Sequence, residues 1–170
     1  LVTRLGNQNA RRRPNQDVSI TLVDRQTAHL WQPVLHEVAA GTLDPFVHSL
    51  DYAAQAYWHG FEFCQGAFRG LNRAARTIHV EEVVDEQGQQ LFPRRTLTYD
   101  TLVIAVGSVT NFFGVKGAEQ YSFALDTVQD ADRFRKALIA KCARADRARD
   151  DNEGGRVRIA IVGGGATGVE

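Results

Sequence analysis

The 170-residue sequence has no methionine, only two cysteines, no net charge and no long hydrophobic run. Cys64 and Cys142 lie far apart and neither belongs to a CxxC pair. Dithiol redox chemistry and a thiolate metal site therefore both lack their minimal pattern, and a reducing, cytosolic setting fits best. Twenty basic and twenty acidic side chains cancel, so no overall field draws the chain to nucleic acid or to an anionic membrane surface. No apolar stretch approaches the ~18 residues of a membrane span, and no charged-then-apolar leader is present. The five histidines show no HxxxH or HExxH spacing and there is no GxSxG elbow, so metal binding and hydrolysis have no support in sequence. The missing methionine, together with a sequence that closes on a glycine-rich motif, leads to the expectation of a piece of a longer protein.

What is present reads as α/β. LVTRLG is expected to be the tail of a helix stopping at Gly6, followed by a polar connection with Arg11, Arg12, Arg13 and Pro14. The β-branched run VSITLVD, Val18 to Asp24, predicts a buried strand ending on an acid. QPVLHEVAAG predicts a helix with Pro33 in its first turn and Gly41 as its stop, and Asp44-Pro45 predicts a turn. Leu50, Ala53, Ala54, Tyr57 and Trp58 form an i, i+3, i+4, i+7, i+8 stripe, with Ser49 as cap and Gly60 as end. From Phe61 to Thr98, the runs FEFCQGAF, TIHVEEVV and LFPRRTLTY predict an antiparallel meander. TLVIAVGS, Thr101 to Ser108, predicts a buried strand. Between about Asp126 and Ala145, a long helix is expected with Phe134, Leu138 and Cys142 on one face and Asp126 or Thr127 as cap. DDNEGG reads as a flexible link, and RVRIAIV as one more buried strand. The order is that of a parallel sheet with helices and an antiparallel β-meander insert, and the expected fold class is a Rossmann-like nucleotide-binding fold truncated at both ends.

Three places carry chemistry. GGGATG, Gly163 to Gly168, follows a strand and opens a helix, the context that a GxGxxG motif requires. Gly163 permits the tight turn, Gly165 lets backbone approach a pyrophosphate, and Gly168 lets helix and strand pack closely. The helix N-terminus offers unpaired N–H groups and a partial positive charge to the phosphates. Asp24, at the tip of its strand, is placed to accept hydrogen bonds from adenosine ribose hydroxyls if LVTRLG ends a first crossover helix; the alternative is an acid that merely ends a strand. Ala105 to Ser108 would set Gly107 at the carboxyl edge of the same sheet, where ligands bind in open α/β folds. Taken alone, that pattern is commonplace.

The set ITLVDR, HLWQPVLHEVAAGTLDP, YDTLVIAVGS and RIAIVGGGATGVE resembles type II NADH dehydrogenase, the single-subunit flavoprotein NADH:quinone oxidoreductases of the two-dinucleotide-binding flavoprotein superfamily. The resemblance implies an FAD-binding domain over residues 1–150, lacking its first strand and glycine loop, and the start of an NADH-binding domain over 156–170. It implies hydride transfer from NADH to FAD and electron transfer on to quinone. Asp24, with Arg25 beside it, then matches the FAD ribose position, and Phe68 the residue whose backbone meets the adenine. Thr42 matches the segment near the flavin ring, Ala105, Gly107 and Ser108 the loop near the FAD phosphates, and Gly163, Gly165 and Gly168 the NADH pyrophosphate loop. No protein acid or base is expected to dominate, because the cofactor carries the chemistry. The resemblance further implies a cytoplasmic protein, peripheral to the inner face of the cell membrane, in contact with it through a C-terminal region absent from this sequence; it allows a homodimer. Two other readings remain open: a related flavin-dependent NAD(P)H reductase with a soluble acceptor, and a non-catalytic dinucleotide-binding module.

Overall fold

A computed structural model describes residues 1–9, 18–150 and 156–163. The chain forms two compact units: Leu1–His29 with Leu50–Val106, and Leu30–Ser49 with Gly107–Glu170. Strands and helices are both present in the first unit, helices alone in the described part of the second.

The first unit opens with a helix, Val2–Asn9, that runs past Gly6 rather than stopping there. Gly6 is buried inside it, because a Cβ at this position would run into the backbone carbonyl of His59. The glycine therefore serves close helix packing, not termination. The strand predicted at 18–24 is hydrogen-bonded over Thr21–Asp24, pairing in parallel with Glu62–Gln65, and is half-buried rather than fully buried. This pairing corrects the expected meander: FEFCQ belongs to the parallel sheet, and the antiparallel sheet begins only at Phe68. That sheet has three strands, with Thr77–Val80 between Phe68–Asn72 and Arg95–Thr98. A separate hairpin joins Val83–Val84 to Gln90–Phe92. Alternation along Thr77–Val80 sends Ile78 and Val80 inward, where they pack with Cys64 under Val23, Leu97, Tyr99 and Leu102.

The helix expected from Ser49 starts later, spanning Tyr52–His59. Leu50–Asp51 is instead a short strand against Ala28–His29, and the Asp51 side chain caps the helix by accepting from the Ala54 N–H at 2.8 Å. Its expected apolar stripe lies outward, with Leu50, Tyr57 and Trp58 all exposed. Gly60 does end the helix, in the left-handed conformation.

In the second unit, Gln32–Val34 forms a 3-10 turn leading into the helix Leu35–Ala40, which Gly41 ends as expected. Asp44-Pro45 opens a short helix, Pro45–His48, not a simple turn, because the Asp44 carboxylate accepts from the Phe46 N–H at 2.8 Å. The long helix spans Val128–Asp150. Thr127 is its cap: its hydroxyl accepts from the Asp130 N–H at 3.1 Å, while the Asp130 carboxylate accepts from the Thr127 N–H at 3.1 Å. This is a reciprocal capping box with aspartate in the acidic position. Ala131, fully buried, packs with Val38 and Ala39 under Phe134 and Val128. Cys142, expected on the same face, is exposed.

Two predicted strands do not form. Residues 102–110 and 156–163 carry no regular secondary structure, and Val106 and Ile161 are 75% and 70% exposed. A strand exists only through its ladder of hydrogen bonds, and neither segment pairs with any described strand.

Candidate functional site

The parallel pair Thr21–Asp24 and Glu62–Gln65 places two strand ends, Asp24 and Gln65, at one carboxyl edge. The Asp24 carbonyl accepts from the Gly66 N–H at 2.8 Å, so the first strand's tip is tied to the turn leading into Phe68. The Glu81 N–H donates to the Ala67 carbonyl at 2.9 Å, which ties that turn to the antiparallel sheet.

Asp24 is half-buried, and its carboxylate is already engaged on both oxygens. Oδ1 accepts from the Gln26 N–H at 2.9 Å, and Oδ2 accepts from the Tyr52 hydroxyl at 3.2 Å. An ionised carboxylate has roughly four acceptor positions, so one is left on each oxygen. Two such acceptor positions are what a pair of adjacent hydroxyl donors requires. Arg25 is exposed at the turn that follows. Phe68 begins the antiparallel sheet opposite Val80, with a register shift between Phe68 and Gly70. Asp24, Arg25 and Phe68 thus share the first unit.

Ala105 also lies in the first unit, whereas Thr42, Gly107, Ser108 and Gly163 belong to the second. The Thr42 N–H and hydroxyl both donate to the Glu37 carbonyl, at 3.0 and 3.2 Å, completing the end of the Leu35–Ala40 helix. Ala105, Gly107 and Ser108 are exposed and lie in an irregular segment, not at the end of a strand. Gly107 has φ +73° with nothing within 4 Å of a Cβ built on it, so backbone conformation rather than space favours glycine there. Gly163 has φ +117° and is equally open. Gly165 and Gly168 lie outside the described residues, as do Arg11, Arg12 and Arg13 and most of the DDNEGG link. Among the described residues, no group of three or more His, Cys, Asp or Glu side chains is placed to hold a metal ion.

Nothing in the sequence marks Tyr52, because its contact with Asp24 spans 28 positions of chain. Its ring packs on Phe63 at 5.2 Å between centroids and on His29 at 6.3 Å. Burial, and then the negative charge and hydrogen bond of Asp24, push its phenol from 10.0 up to about 12.

The family model for pyridine nucleotide-disulphide oxidoreductase matches residues 6–170. The chain belongs to that family. It is 40% identical over 182 residues to a type II NADH:quinone oxidoreductase of Haemophilus influenzae, covering all of this chain and 40% of that protein. The chain therefore spans about two fifths of that relative's length. Among solved structures, it resembles the NDH2 of Plasmodium falciparum in complex with NADH, with TM-score 0.63 and 21% identity over 75% of this chain and 25% of that one. It is equally like the sulfide:quinone oxidoreductase of Aquifex aeolicus, with TM-score 0.63 and 23% identity over 84% of this chain and 29% of the other. Both likenesses speak for the Rossmann-type α/β fold.

Proposed function

We propose that this chain is part of a type II NADH:quinone oxidoreductase, with residues 1–150 serving FAD and 156–170 entering the NADH-binding part. The observation that carries the reading is the 40% identity to such an enzyme along the whole of this chain. The free acceptor positions on Asp24 agree with it. FAD, when bound, supplies the hydride acceptor for NADH and the relay of electrons to quinone.

The chain's own contribution is binding and orientation. Asp24, beside Arg25, would accept from the adenosine ribose, and the backbone at Phe68 would border the adenine. Thr42, held by Glu37, lies in the segment assigned to the flavin ring. Ala105, Gly107 and Ser108 form the loop assigned to the FAD phosphates, and Gly163, Gly165 and Gly168 the loop assigned to the NADH pyrophosphate. The reading carries with it a peripheral position on the inner face of the cell membrane. No helix among the described residues is long and apolar enough to cross one.

The test is spectroscopic. The full-length protein, purified with FAD, is expected to retain a visible flavin band, to bleach on addition of NADH under anaerobic conditions, and to recover colour on addition of a short-chain quinone. A protein that binds no flavin or does not bleach ends the enzyme assignment. Recovery with a soluble protein acceptor but not with quinone moves it to a different reductase.

A further inference from the structure

Asp24 does not stand alone at its strand tip; the chain goes to some length to bring a hydroxyl to it. Leu50–Asp51 pairs with Ala28–His29, the Tyr52 N–H donates to the Thr27 carbonyl at 2.9 Å, and Asp51 caps the helix that Tyr52 begins. With backbone fixed on both sides and the ring held against Phe63, the Tyr52 hydroxyl meets Asp24 Oδ2.

We propose that Tyr52 is a positioning residue for Asp24, holding the carboxylate plane so that its two remaining acceptor positions face the two adjacent hydroxyls of the adenosine ribose. The inference rests on the proposed FAD reading of Asp24. A lone aspartate rotates about its terminal torsion, which is broad and roughly two-fold. With Gln26 N–H on one oxygen and the tyrosine on the other, that rotation is stopped before ligand arrives, and binding no longer has to supply the ordering. The raised phenol stays protonated through the physiological range. It therefore acts as a donor to the carboxylate and leaves the negative charge on Asp24, where two hydroxyl donors are received. Phosphorylating one of those hydroxyls would remove a donor and set like charges together, so the same arrangement selects against a ribose bearing a 2′-phosphate.

The experiment is titration of the flavin-stripped, full-length protein with FAD and with FAD in which the adenosine ribose is 2′-deoxy. Tyr52→Phe retains the ring against Phe63 and removes only the donor. It is expected to weaken FAD about tenfold, in the range of one hydrogen bond to a charged group, and the 2′-deoxy ligand about threefold or less. Tyr52→His, which keeps a ring with an N–H donor, is expected to recover part of the loss and carries the same comparison if the phenylalanine variant does not fold. An equal loss for both ligands would make Tyr52 a packing residue and overturn the proposal, as would FAD affinity within twofold of the native protein. Asp24→Asn separates the two levels. If it leaves FAD affinity within twofold, the ribose reading of Asp24 fails; if it weakens FAD strongly while Tyr52→Phe does not, that reading stands and the positioning role falls.

Discussion

Two stretches of similar character meet opposite fates. TLVD, Thr21 to Asp24, is one half of a parallel pair, with Val23 packed against Cys64, Ile78 and Val80. TLVIAVGS is longer and more apolar, yet only Leu102 joins that core, while Val103, Ile104 and Val106 are more than half exposed. The difference does not lie in residue preference, since β-branched side chains make up half of both. It lies in whether another strand offers its hydrogen-bonding edge, which is a property of the pair and not of the segment.

The largest expected effect comes from pressing on the region that packs. Gly6→Ala sets a methyl group against the His59 carbonyl, a backbone atom that cannot step aside. Overpacking of this kind costs about 1–3 kcal/mol and sometimes more, so a loss of about 3 kcal/mol is expected in denaturant unfolding of the full-length protein. A loss under about 0.5 kcal/mol would mean that the two helices are not in contact there.

Val80 and Val106 test the contrast directly. Val80 is 1% exposed and Val106 is 75% exposed. Truncating Val80 to alanine is expected to cost about 2 kcal/mol, and the same change at Val106 less than about 0.5 kcal/mol. Equal losses would show that residues 101–108 are paired in solution, which is the result that breaks the comparison.

The same contrast explains what the sequence could and could not convey. Local signals were legible: Gly41 and Gly60 end helices because a left-handed residue needs no second element to form. Caps were legible only in part: Asp44 and Asp51 act through hydrogen bonds reaching two and three residues, yet Asp44-Pro45 reads as a turn and Ser49 as the cap. Interactions between distant segments were not legible. Nothing in LVTRLG tells of His59, so Gly6 reads as a stop, and FEFCQ reads as part of the meander because its parallel partner lies 41 positions earlier, Thr21 against Glu62. At the candidate site, the run VSITLVD alone puts Asp24 at a strand end, whereas Tyr52 lies outside the apolar stripe and its contact with Asp24 crosses 28 positions.

Caps give a smaller effect that refines the comparison by asking how much a local device contributes without long-range support. Thr127→Ala removes the hydroxyl that receives the Asp130 N–H and is expected to cost about 1 kcal/mol. Asp51→Ala should cost a similar amount by losing the Ala54 contact. A markedly larger loss at Asp51 would indicate that its cap also holds Tyr52 in place.

The smallest expected effect is a pH dependence. In the unfolded chain the Tyr52 phenol titrates near 10.0, and in the folded chain at about 12. Between those values the unfolded chain has released a proton that the folded chain still holds, so rising pH favours unfolding. The stabilisation is whole below pH 10 and is lost as pH rises toward 12. Tyr52 is half-buried, and solvent screening keeps the effect modest. Denaturation midpoints compared between native protein and Tyr52→Phe should therefore run parallel up to about pH 9.5 and then draw together or cross, the native protein falling more steeply, because the other tyrosines and lysines titrate alike in both. Curves that stay parallel to pH 12 would show that Tyr52 is neither buried nor beside Asp24, and with that the geometry on which the positioning role depends would be lost.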